Sequence, residues 1–92
     1  MTTAERLLTI DDFFSENSYA PTVRDLSAAW CLTPTASHYQ RGKLRDMGYV
    51  EWTEGIARTL RITPQGIKVI RDWTDRSQAV EAESTVQSQK EG

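Results

Sequence analysis

Apolar residues recur at two different periods along this chain, and the period changes at Gly48. Upstream the spacing is helical. Leu7, Ile10 and Phe14, with Leu8 and Phe13 beside them, form one broad stripe, headed by Thr2 and Glu5 as a capping box. Val23, Leu26, Ala29 and Trp30 form a second, in a segment that opens at Thr22 with Asp25 three positions later. A third segment starts with Thr33 as cap and Pro34 at the first helical position, where no N–H is missed. It runs through Leu44 to Gly48, which suits the left-handed backbone past a helix end. Only Cys31 and Leu32 separate the second and third segments, so the two helices cross steeply, as in a helix-turn-helix. From Tyr49 the period falls to two. Tyr49 to Thr53 and Ile56 to Thr63 predict two strands, with Glu54 and Gly55 as the turn. Thr63 and Pro64 repeat the cap-then-proline signal and begin a fourth helix, PQGIKVIRDW. Its inner face is read as Ile67, Ile70 and Trp73 or Thr74, and Gly66 weakens its first turn.

These elements predict an α+β fold over residues 1–74: a winged helix-turn-helix with a three-helix core, a two-stranded antiparallel wing and an additional C-terminal helix. Residues 75–92 are mostly Ser, Gln, Glu, Ala and Thr with few large apolar side chains, which predicts a fraying helix end and then a disordered acidic tail. Ninety-two residues suit one small domain with one modest core.

Composition narrows the function classes. Hydrophobic content of 38% and charged content of 26% fit a soluble globular chain. The sequence has neither an apolar run of membrane-spanning length nor a signal segment, so a cytoplasmic, nucleoid-associated protein without a membrane partner is expected. The lone Cys31 forms no internal disulfide and reads as a small, half-buried turn residue rather than a reactive thiol. Cys31 and the single His38 cannot furnish a zinc site, so no metal or cofactor is expected. Scattered acids, one His, one Cys and no phosphate-cradling glycine loop argue against an enzyme. A pI of 5.3 argues against nonspecific coating of nucleic acid. The charge is nevertheless uneven: residues 20–71 carry eight Arg or Lys against four acids, whereas both flanks are acidic.

Pro21, Thr22, Val23, Arg24 and Asp25, then Leu32, Thr33 and Pro34, then His38, Leu44, Gly48, Tyr49 and Val50 resemble the N-terminal DNA-binding domain of LexA repressors. The resemblance covers roughly residues 3 to 70 and implies a winged helix-turn-helix that reads duplex DNA as a transcriptional regulator, a repressor in a bacterium or its phage. LexA repressors also carry a self-cleaving second domain. The 29 residues after Thr63 hold no serine–lysine pair on a foldable scaffold, so self-cleavage is not expected here.

A recognition helix enters the major groove with its leading turns. That makes Thr33, Thr35, Ala36, His38 and Tyr39 the candidate base contacts, and the resemblance points to the same positions. His38 can donate to guanine, Thr35 can bond either groove edge, and Ala36 can pack on a thymine methyl. Tyr39 reads equally as a core aromatic. Arg24, Arg41, Lys43 and Arg45 are the phosphate candidates, and Arg58 with Thr59 the wing contacts. Arg41 stands where these repressors carry an apolar residue. Either its stem lies on the core edge with the guanidinium outward, or the helix is rotated from the family register.

One small domain contacts about one half-site, so a homodimer through the C-terminal helix, at Ile70 and Trp73, is expected. A competing reading from another class is a winged helix that binds a protein through Trp52, Trp73 and the acidic flanks, without touching DNA. The placement of Arg24, Arg41, Lys43, Arg45 and Arg58 discriminates: DNA binding needs them on one surface.

Overall fold

A computed structural model describes residues 1–76. Three helices come first: α1 (Thr3–Asn17), α2 (Val23–Trp30) and α3 (Pro34–Asp46). Each is started by the threonine that the sequence marks. Thr2 and Glu5 bond reciprocally ahead of α1, as do Thr22 and Asp25 ahead of α2. Thr33 accepts the Ala36 N–H at 3.1 Å ahead of α3. The turn between α2 and α3 closes with Cys31 in the left-handed region (φ 57°) and the Leu32 N–H donating to the Ser27 carbonyl at 3.1 Å. Cys31 is exposed, not half-buried: the left-handed step directs it away from the crossing.

The end of α3 is fixed by a Schellman motif. Gly48 takes φ 81° and donates to the Arg45 carbonyl at 2.9 Å, while the Tyr49 N–H donates to the Leu44 carbonyl at 3.0 Å. Leu7 and Ile10 of α1, Leu26 and Trp30 of α2, Leu44 of α3, Val50 and Leu60 of the hairpin, and Ala20 meet in one core. Phe14, expected in the α1 stripe, is 54% exposed, and Ala4 joins the buried face instead. Ala29 is likewise exposed, because α2 buries only Leu26 and Trp30.

The wing is much shorter in regular pairing than its alternation predicts. β1 (Val50–Glu51) and β2 (Arg61–Ile62) are antiparallel, with Val50 opposite Ile62 and Glu51 opposite Arg61. Two features interrupt longer strands. Arg58 has φ 61°, which no extended strand accommodates. The Thr59 hydroxyl takes the Thr53 N–H at 2.9 Å and so replaces a ladder bond with a side-chain closure.

A fourth helix, α4, occupies residues 64–76. Its start is tied to the end of α3 through Thr63. The Thr63 hydroxyl donates to the Gly48 carbonyl at 2.6 Å and accepts the Gly66 N–H at 3.1 Å, and the Thr63 N–H donates to the Tyr49 carbonyl at 3.0 Å. Gly66 is buried against this joint, where a Cβ would overlap the Tyr49 carbonyl oxygen. Ile70 packs on the core and Trp73 and Thr74 are half-buried, as expected, whereas Gly66 and Val69 join the inner face and Ile67 is exposed. Helix continues through 75 and 76; the rest of the expected tail lies outside the described residues.

Candidate nucleic-acid interface

The crossing of α2 and α3 sets the surface that α3 presents. Ser37 is wholly buried at the crossing, and its hydroxyl bonds that of Ser27 at 3.1 Å; Ser27 also donates to the Val23 carbonyl at 2.9 Å. With Ser37 and Leu44 inward, the remaining positions of α3 are placed by helical geometry. Thr33, Thr35, His38 and Tyr39 are exposed and Ala36 is half-buried. Tyr39 is 64% exposed, so it is not a core residue, and the Lys43 ammonium lies 5.6 Å from its ring centroid.

Arg41 is half-buried, with its guanidinium carbon 4.2 Å from the centroid of the Trp52 ring. Trp52 of the wing covers the guanidinium itself, so it is not simply directed outward, and Arg41 Nε is buried without a hydrogen-bond partner among the described residues. That arrangement keeps α3 in register with Leu44 buried. Burial lowers the affinity of the Arg41 guanidinium for its proton; the Glu54 carboxylate opposes this and the Arg45 charge adds to it. Arg45 lies at the same 4.2 Å from the Trp52 centroid and forms an ion pair with Glu54 at 2.6 Å. Glu54 also accepts the Trp52 indole N–H at 3.0 Å, and its carboxyl is held below the usual range, first by Arg45 and then by Trp52. Arg41, Lys43 and Arg45 thus all belong to α3, two of them braced by the wing. Arg24 is exposed on α2, beside the capped N-terminus.

Arg58 is placed differently from its expected role. Its guanidinium turns back to donate to the Ala20 carbonyl at 3.0 Å, pairs with Asp25 at 3.3 Å and stacks 4.4 Å over the Tyr19 ring. Thr59 is similarly engaged with Thr53 and Ile56 inside the hairpin. Arg58 stands in the second of the hairpin's two turns, Glu54–Gly55 and Ala57–Arg58, but its side chain is directed back to the body of the domain, and Ile56 between the turns is exposed. The sequence reading missed Trp52 and Glu54 as neighbours of the α3 cations. The signal lay in Arg41, whose place on an otherwise apolar face calls for a flat covering partner, and Trp52 is the wing aromatic available to it.

Among the described residues no cluster of His, Cys, Asp and Glu could hold a metal ion. No helix among them is long and apolar enough to cross a membrane.

Residues 3–59 match the family model described as the LexA DNA binding domain. The chain is 40% identical over 62 residues to the transcription regulator LexA of Synechocystis sp., an alignment that takes in 63% of this chain and 30% of that protein. It is 35% identical over 57 residues to the LexA repressor of Thermotoga maritima and 32% identical over 57 residues to that of Thermotoga neapolitana. Those two alignments each cover 62% of this chain and 29% of the relative. The chain therefore spans under a third of the length of these relatives.

Proposed function

This chain belongs to the LexA DNA-binding domain family, and from that premise we propose that it is a sequence-specific, duplex-DNA-binding transcriptional regulator acting as a repressor. The observation that carries the proposal is the outward face of α3. Its leading turns expose Thr35, His38 and Tyr39, its later turns expose Lys43 and Arg45, and half-buried Arg41 lies at the edge of that face. Thr33, Thr35, Ala36, His38 and Tyr39 read base edges in the major groove, where hydrogen-bond patterns distinguish all four base pairs. Arg24, Arg41, Lys43 and Arg45 hold the flanking phosphates, which fix register without reading sequence. The free N–H groups at the start of α3 add an anion-binding terminus. The wing reaches DNA through residues 54–57, because the side chains of Arg58 and Thr59 are engaged within the domain.

A single recognition helix covers one half-site, so a second copy supplies the other. Helix α4 offers the contact surface. Ile70 already packs on the core of its own chain, which leaves half-buried Trp73 as the anchor. Selection of bound sites from a random duplex pool at physiological salt tests the whole reading. A palindromic motif is expected. Failure to enrich any motif would instead favour a winged helix that binds a protein partner.

A further inference from the structure

Arg45 has an anionic partner before any ligand arrives. Its Nη1 lies 2.6 Å from Glu54 Oε1, the oxygen that also accepts the Trp52 indole N–H at 3.0 Å. The same Trp52 ring underlies the Arg45 and Arg41 guanidiniums, each 4.2 Å from its centroid. Glu54 thereby presents to Arg45 what a phosphodiester would present, an anionic oxygen at ion-pair distance. Carboxylate and phosphate suit the guanidinium fork equally well, so the two compete for it.

The exchange disturbs no core packing. The Glu54 side chain is 75% exposed and that of Arg45 44%. Trp52 remains to orient Arg45 when the carboxylate leaves, because ring stacking and ion pairing use different faces of the guanidinium. A second exposed pair, Arg61 with Glu51 at 3.0 Å, lies across the β-ladder and supplies an internal comparison of the same net charge.

We propose that Glu54 is an internal competitor for the DNA backbone at Arg45, a positioning residue that weakens binding to every duplex alike and so leaves discrimination to the leading turns of α3. This rests on the DNA-reading function proposed above and names a brake on that same surface. Free chain holds Arg45 on Glu54. Bound chain transfers it to a phosphate, and the released carboxylate remains hydrated at the wing turn.

The test is a salt titration of binding by the full chain, to a selected duplex and to a random one. The unchanged chain is compared with Glu54→Gln, Glu51→Gln, Arg45→Gln and the Glu54→Gln/Arg45→Gln pair. Gln at position 54 still accepts the Trp52 N–H, so the wing keeps its brace. Glu54→Gln is expected to tighten both duplexes by about two- to fivefold at physiological salt. The slope of log affinity against log salt should stay unchanged, because Arg45 meets a phosphate in both complexes, and Arg45→Gln should flatten it by about 0.9, one phosphate contact. Glu51→Gln should not tighten binding, and adding Arg45→Gln should remove the gain. The proposal is overturned if Glu54→Gln binds like the unchanged chain or more weakly. It is equally overturned if Glu51→Gln matches the gain, which would make it an effect of net charge, or if the gain survives loss of Arg45. If the unchanged chain binds no duplex at all, the DNA reading itself falls; if it binds and only these contrasts fail, the competition alone is wrong.

Discussion

Gly42 and Gly66 are both helical, yet the two positions call for opposite substitutions. A Cβ at Gly42 would meet nothing within 4 Å, so Gly42→Ala should stabilise the chain by up to about 1 kcal/mol through helix propensity and a less flexible unfolded state. At Gly66 the same methyl would overlap the Tyr49 carbonyl and lie 2.6 Å from Ile62 Cγ2. Gly66→Ala should therefore destabilise by roughly 1–3 kcal/mol, the usual range for overpacking. Urea titrations of the two variants check both signs. His38 and Lys43 separate in function rather than stability. Replacing exposed His38 by Ala should cost about 1–3 kcal/mol on the selected site and relax one base position. Replacing Lys43 by Gln should weaken all duplexes alike and flatten the salt dependence by about one phosphate contact. Equal losses on selected and random DNA for both variants would remove His38 from the base-reading set.

At the scale of elements, Arg58 is the part of the wing whose role changes most. It ties the hairpin to the α1–α2 connection and to the capping box of α2 while holding a left-handed backbone. Arg58→Ala should lower stability by about 1 kcal/mol, most of it from the Ala20 carbonyl bond, since the half-exposed Asp25 pair adds little. It should leave the salt slope of DNA binding unchanged, whereas a phosphate contact would flatten it. The helices were legible in the sequence because their signals are local. Thr2 with Glu5, Thr22 with Asp25, and Thr33 with Pro34 each act within one turn, and all three starts fall where they indicate. The wing was legible only as alternation. Its pairing is cut short by Arg58, whose partner carbonyl lies 38 residues away in sequence, and no window of neighbouring residues encodes that bond. The same holds for α4. Its inner face was misjudged at Ile67 because Gly66 is inward for a steric reason that only the approach of Tyr49 reveals. In α3, Arg41 posed two alternatives, and Trp52, eleven positions on, decided between them.

For the molecule as a whole, acid should loosen the helix starts and the wing together. Glu5 and Asp25 are held below the ordinary carboxylate range chiefly by accepting the backbone N–H groups of Thr2 and Thr22, and Glu54 by Arg45. Because each folded-state value is depressed, the corresponding stability is present above about pH 4 and lost as pH falls through the lowered values. Urea midpoints measured from pH 7 down to pH 3 should fall on the acid side, and Asp25→Asn should start lower at neutral pH and decline less steeply. Sedimentation at micromolar concentration, with and without Trp73→Ala, tests assembly. A dimer that the substitution dissociates is expected, and a monomer throughout would remove α4 as the contact surface. The hydroxyl of Thr63 has a consequence at this largest scale. By spanning Gly48 and Gly66 it couples the tail of α3 to the head of α4, much as the Ser27–Ser37 bond pins the leading half of α3. If α3 reads DNA as proposed, a tilt imposed on α4, by a second copy or by anything attached beyond it, would swing α3 in the groove. Thr63→Val would uncouple that gearing, leaving a protein that still recognises single half-sites but tolerates a wider range of spacings between them.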